Sequence, residues 1–253
     1  MTPTPFSTEP APPPPVQVRV RLPLQPVRAT YVFLILIGLV FAVQLAGFDT
    51  VIKQYGEKEN SLIAQGQIWR LLTAVFIHGT LLHILFNAYA LYNLGREVEM
   101  FYGSFRFSLI FFFAGLSGSV TSMLLNPSPS VGASGAIFGL IGAEGVFLYR
   151  NRRLLGERGR RGLQNIIFIV VLNFAIGLQA QFIDSWAHLG GLIGGALLGW
   201  FIGPVWGFPA EPALGGEVTL GDQHPLAGAR WLAVAAAAAG LAALTGVAIA
   251  FPR

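Results

Sequence analysis

The sequence of 253 residues is 54% hydrophobic and only 11% charged, with a formal net charge of +4 and no cysteine. A soluble domain carries about 25% charged residues because water covers it, so most of this surface is expected to face lipid, and the mean hydropathy of +0.63 agrees. The lack of cysteine excludes disulfides, thiolate metal sites and thiol nucleophiles together. The arginines sit in gaps between apolar runs, as in membrane loops, rather than on a basic face with interleaved aromatics. That placement argues against nucleic-acid binding.

In chain order, residues 1–28 read as a Pro-rich tail, with Pro12 to Pro15 consecutive and no Lys or Arg before residue 16. Such a segment cannot pack a core and is expected to be a disordered or polyproline II tail. The first apolar run, Ala29 to Phe48, is 20 residues without a charge. That is the length a bilayer core requires and too long for the apolar part of a signal peptide. A second span, Leu81 to Leu94, contains His83, Asn87 and Asn93. Phe107 to Ala143 holds 37 uncharged residues, enough for two spans, with a break at Asn126 to Pro129. The fourth span is predicted from Ser134 to Tyr149, the fifth from Leu163 to Phe182 and the sixth from Trp186 to Phe201. Residues 206–228 read as a Pro/Gly-rich linker. Residues 229–253 carry a seventh helix, in which Trp231 to Phe251 is uncharged. The predicted fold class is an all-α polytopic membrane protein: six transmembrane helices over 29–205 plus a seventh C-terminal one.

Seven spans force the loops to alternate sides. One set of loops carries twelve Lys and Arg residues, six of them between Arg150 and Arg161, and the other carries Lys53, Lys58, Arg70 and Arg253. The bias of basic residues to the inner side predicts a cytoplasmic N-terminus and an outside C-terminus. The loop 49–80, the turn before Ser134 and the start of the sixth span at His188 are then all expected at the outer face.

Polar groups inside spans are costly and need a reason. Ser134 lies in Gly132-Ala133-Ser134-Gly135 at the start of the fourth span, where free backbone N–H groups could stabilise an oxyanion. The alternative is a helix cap beside packing glycines. His188 lies in Ala187-His188-Leu189-Gly190-Gly191, and its alternative is a structural histidine. Gly191, Gly195, Gly199 and Gly203 recur every four residues, and Gly135, Gly139, Gly142 and Gly145 line the fourth span. Small-residue faces let membrane helices pack backbone to backbone. Packing the two faces together would bring Ser134 within reach of His188, the kind of base a serine hydroxyl needs to become a nucleophile. His83 and Asn87 are one helical turn apart, with no obvious partner in their own helix, and could donate to the same oxyanion. Their alternative is an interhelical clamp.

These residues resemble the rhomboid family of intramembrane serine proteases. The resemblance rests on Trp69-Arg70, His78 with His83-Ile-Leu-Phe-Asn87, and Gly95 to Gly103 with Glu99 between them. It continues with Gly132-Ala-Ser134-Gly135 and Ala187-His188 followed by Gly191 and Gly195. It covers about 29–205, with the seventh helix as in six-plus-one members. It implies Ser134 as nucleophile and His188 as general base, a dyad with no Asp. It also implies an oxyanion hole of His83, Asn87 and the Ser134 N–H, with Gly132 against the scissile segment. His78 would lie in the water-retaining outer region. Glu99 and Trp69-Arg70 would be structural, and the fifth span with its following loop would be a lateral substrate gate. Implied partners are transmembrane protein substrates and membrane lipids, in a bacterial inner (plasma) membrane or an organelle membrane. Two positions need comment: Phe138 stands where some relatives carry Tyr packed on the catalytic His, and Glu144 lies about 15 Å below Ser134. Phe138 is expected to keep the stacking surface, and Glu144 to make an interior polar contact or to reach the Arg cluster. No metal or cofactor motif appears. The competing classes are a catalytically silent rhomboid-like protein that binds membrane clients, and a transporter or channel. The latter calls for a midplane polar site, ideally with repeats, and no inverted repeat is found.

Overall fold

The computed structural model describes residues 19–180, 183–209 and 217–251. Most of the Pro-rich tail, Phe182 at the end of the fifth predicted span, the middle of the predicted linker and Arg253 lie outside these. The chain is an all-α polytopic membrane protein. Among the described residues, four helical segments are long and apolar enough to cross a bilayer: Ala29–Gly56, Leu81–Leu125, Ser185–Ile202 and Ala229–Ala250.

A short strand, β1 (Arg19–Arg21), precedes α1 (Ala29–Val43). Thr30, Phe33, Ile37 and Phe41 of α1 are buried, while Val32, Ile35, Leu36 and Leu39 point outward. Apolar residues exposed in that density suit a lipid-facing helix. Phe33 stacks on Phe111 at 4.4 Å and meets Phe112 edge-on at 5.3 Å. After a wide turn over Gln44–Phe48 the helical path kinks at Gly47, whose φ of 101° suits glycine. It then enters α2 (Asp49–Gly56), followed by α3 (Asn60–Ala64) and α4 (Arg70–Thr73). Arg70, 2% exposed, stitches this loop together by donating to Gln54 O, Glu57 O and Gln67 Oε1.

The next helix, α5 (Leu81–Ala90), runs through one wide turn into α6 (Arg96–Leu125). Together they make 45 residues, more than one crossing needs. The path breaks at Gly103, with φ 76° and ψ 156°. Beside this break the Glu99 carboxylate accepts the backbone N–H groups of Arg28, Ala29 and Thr30 and the hydroxyls of Thr30 and Ser104. Those three N–H groups are the orphan donors at the start of α1, so one buried carboxylate joins two helices.

Helix α7 (Ser134–Arg150) is followed by α8 (Arg152–Gln179), bent at Gly156, and α9 (Ser185–Ile202). The strands β2 (Trp206–Gly207), β3 (Glu217–Thr219) and β4 (Gly221–Asp222) come before α10 (Ala229–Ala250). β1 pairs in parallel with β3, and β2 antiparallel with β4. The described ends of the predicted linker are therefore not loose. Trp206 is buried against Phe101 and Phe147, its N–H is accepted by Asn151 Oδ1, and Arg106 pairs with Asp222 at 2.8 Å.

The centre of the molecule is the trio α6, α7 and α9. A Cβ on Gly191 would sit 1.9 Å from Gly135 O, and one on Gly195 would sit 2.1 Å from Gly139 O. The two backbones thus touch through the predicted glycine faces. Two glycines depart from that expectation: Gly145 faces Ile166 of α8, and Gly203 lies beyond the end of α9 against Tyr102. A second seam was not predicted. Gly190 and Gly194 pack on Thr121 and Ser117 of α6, and the Ser117 hydroxyl donates to Gly190 O at 2.9 Å.

Gly195→Ala forces α7 and α9 apart and is expected to cost about 1–3 kcal/mol, read as a lower thermal midpoint in detergent. Gly240→Ala in α10, where nothing lies within 4 Å, is expected to be neutral or to stabilise by up to about 1 kcal/mol through helix propensity.

Candidate active site

Ser134 opens α7, and its Oγ lies 2.9 Å from His188 Nε2 in the first turn of α9. This is hydrogen-bond length, and the geometry suits a serine hydroxyl donating to a neutral imidazole. The glycine seam brings it about: with Gly135 against Gly191, the residues one position before and three positions before them end at the same depth. His188 is buried and Ser134 half-buried. The Phe138 ring lies 4.2 Å from the His188 ring and within 11° of parallel, so the phenyl surface stacks on the imidazole as expected. Among the described residues no carboxylate bonds to the His188 ring.

The segment leading into Ser134 is held from outside the helix. Gly132 N–H donates to Ala74 O at 2.9 Å, and Lys58 and Ser130 exchange backbone hydrogen bonds at 3.0 and 3.1 Å. Gly132 has φ 125°, and a Cβ there would lie 2.6 Å from His83 Cε1 and Nε2. The residue must therefore be glycine for two reasons: its backbone conformation and the imidazole above it.

His83 lies in the first turn of α5, where Thr80 caps the helix by accepting His83 N–H. The structure brings His83 to Gly132, and so beside the approach to Ser134. Asn87 lies one turn along α5, buried, and its Nδ2 donates to His83 O at 2.9 Å. This corrects the expectation that Asn87 lacks a partner in its own helix: an amide four residues on reaches back to the carbonyl that precedes it. Asn87 makes no hydrogen bond to Ser134 or His188 among the described residues. His78 is fully buried, with its backbone clamped in both directions by the Gln44 amide and its ring 5.1 Å from that of His83. Glu144 is 6% exposed and forms no ion pair among the described residues, so of its two expected placements it takes an interior one and does not reach the Arg cluster. Arg150 turns instead to Trp200 O and His224 Nδ1.

Asp184 escaped the sequence reading. Its Oδ1 accepts Ala187 N–H and its carbonyl accepts His188 N–H, so one residue orders the turn that carries His188. An aspartate directly before an apolar helix is a capping signal that could have found it.

A family model described as the Rhomboid domain matches residues 65–205. The chain is 42% identical over 191 residues to Rhomboid protease GluP of Bacillus subtilis, covering 74% of this chain and 36% of that protein. It is 34% identical over 154 residues to RHOMBOID-like protein 5 of Arabidopsis thaliana, covering 60% and 49%. To RHOMBOID-like protein 1 of the same plant it is 36% identical over 150 residues, covering 58% and 38%. The chain thus spans about a third to a half of the length of these curated relatives. The matched stretch takes in α4 to α9, with Gly132, Ser134 and His188, and on that match the chain belongs to the rhomboid family.

Proposed function

We propose that this chain is an intramembrane serine endopeptidase that cleaves transmembrane substrates near the outer face through Ser134 and His188. The reading rests on the 2.9 Å contact between Ser134 Oγ and His188 Nε2 in a glycine-packed pair of helices. It takes support from a relative that is named a protease. Helices α1, α5, α6, α7, α8, α9 and α10 would supply seven crossings, six in the core and α10 added. The Arg-rich start of α8 would face the cytoplasm, and the Ser134 end the exterior of a plasma membrane.

A peptide bond inside a transmembrane helix is shielded by its own hydrogen bonds, so a substrate would have to unwind first. Segments with Gly or Pro near the outer face would be preferred. Access would come sideways, with α8 and the loop that follows it acting as the gate. His188 Nε2 would take the proton of the Ser134 hydroxyl as Oγ bonds to the substrate carbonyl carbon. The oxyanion would be held by the Ser134 N–H at the helix start together with His83 and Asn87. Asn87 would turn its Nδ2 from His83 O toward that charge. Collapse of the intermediate would break the C–N bond, and His188 would pass its proton to the leaving amine. Water would then repeat the sequence and release the acyl group. Phe138 would keep the imidazole plane fixed through both halves.

Ser134→Ala and His188→Ala are each expected to lower cleavage of a model transmembrane substrate by at least about 10³-fold and to abolish fluorophosphonate labelling, with thermal midpoints near that of the parent. A folded parent that neither labels nor cleaves would instead favour a client-binding relative. His83→Ala and Asn87→Ala are each expected to lower kcat by about 10²–10³-fold with little change in KM, as loss of an oxyanion donor does; a change in KM alone would remove them from that role.

A further inference from the structure

Lys58 sits in the loop between α2 and α3 and is completely buried. An ammonium has three N–H donors and no acceptor. Each donor here has an acceptor: Ser122 Oγ at 3.0 Å, Asn126 O at 3.0 Å and Ser128 O at 2.8 Å. The Ser122 hydroxyl, having accepted from Lys58, donates onward to Asp184 Oδ2 at 2.5 Å. Asp184 in turn caps the turn of α9 that carries His188. On the other side the Lys58 backbone pairs with Ser130, four residues before Ser134. One residue is therefore joined, through its side chain and its backbone, by short hydrogen-bonded paths to both segments that bear the candidate dyad.

We propose that Lys58, Ser122 and Asp184 form a polar relay that sets the register of Ser134 against His188, with Lys58 as its positioning residue. The inference rests on the protease reading and adds a control point to that site. The relay has a direction that depends on charge. While Lys58 is an ammonium, Ser122 must accept from it, and its one proton is committed to Asp184. A neutral amine has a lone pair, so the Ser122 hydroxyl can turn round and donate to Nζ. Asp184 Oδ2 then loses its donor, and the cap on α9 loosens.

Burial pulls the Lys58 ammonium down from its ordinary 10.5 to about 8, against the opposing pull of Asp184 and Glu59. Among the described residues those two are the charged groups facing it, Asp184 from the start of α9 and Glu59 from its own loop. Helix α6 and residues 126–130 offer only hydroxyl and carbonyl acceptors. Because the folded value lies below the unfolded one, the folded protein loses this proton first. Between about pH 8 and 10.5 the unfolded chain holds more protons at this position, so the lysine's contribution to stability rises with pH. Positioning of the dyad falls over the same range. Activity and stability should thus move in opposite directions, which a purely structural lysine would not produce.

The test uses the full chain in detergent from pH 6 to 10, following both the rate of fluorophosphonate labelling and the thermal midpoint. The variants are Lys58→Met, Ser122→Ala and, as a control, Lys53→Met, whose lysine pairs with Asp49 away from the relay. The parent should lose labelling about tenfold between pH 7 and 9, as one group titrating near 8 requires, without a matching fall in midpoint. Ser122→Ala, which keeps the lysine and its two carbonyl partners, should label about tenfold more slowly at pH 7 and show no such limb. Lys53→Met should follow the parent. Parental rates and pH profiles in both relay variants would overturn the relay, whatever their midpoints. A parent that never labels would refute the protease reading instead. Amide-exchange protection at 185–188 would then decide the relay alone: a drop above pH 8 in the parent but not in Ser122→Ala supports it, and no drop overturns it.

Discussion

The contact on which the rest depends is backbone against backbone. In a bilayer no hydrophobic force pulls helices together, because lipid tails are as apolar as leucine. Close approach of main chains is what remains: a Cβ on Gly191 or Gly195 would collide with the carbonyl of Gly135 or Gly139, one on Gly139 would meet the Ala114 side chain of α6, and one on Gly135 would sit tightly at 3.3 Å from Ala187 O. The consequence is positional. Once these four glycines are in register, the first residue of α7 and the fourth residue of α9 have no choice of neighbour.

Around that seam the structure uses buried polar groups as fixed points. Glu99, in the first turn of α6, ties that helix to the start of α1 through four hydrogen bonds and takes a fifth from Ser104 of its own helix. Arg70 gathers the loop between α2 and α4, and Gln44 holds the backbone of His78. Each bond is worth more in a poorly solvated setting, and each would be costly if left half-made. Such devices suit a loop that must keep its shape where side-chain packing alone is thin.

Much of this was legible in the sequence for a physical reason. Charge-free runs of about 20 residues mark the helices, since lipid tolerates little else. Glycines spaced by four mark the α7 and α9 seam, and that seam carried Ser134 to His188. Other parts were not legible. The second seam at Gly190 and Gly194 is hidden because its partners, Ser117 and Thr121, are polar residues in an apolar run. Lys58 reads only as one of the basic residues in the outer loops, and the fold reveals three acceptors converging on it. Trp206 and Leu220 lie in a stretch that composition marks as a linker, yet both are buried. Asn87 satisfies itself on the preceding turn, a local bond that residue spacing does not disclose.

The seam also bears on what else can reach the site. Glycines have no rotamers to freeze, so closing α7 on α9 costs little side-chain entropy. Main chains in contact leave no furrow between them for an acyl chain to lie in. Lipid is thereby shut out along the whole line from Gly135 to Gly199, as a weld excludes water from a joint. On the far flank α8 meets α7 through bulky, deformable side chains such as Phe138 against Phe174, 5.9 Å apart. Hydrocarbon can compete for contacts of that kind. The molecule therefore has two kinds of seam, one of main chains and one of side chains, and only the second presents contacts for which lipid can compete.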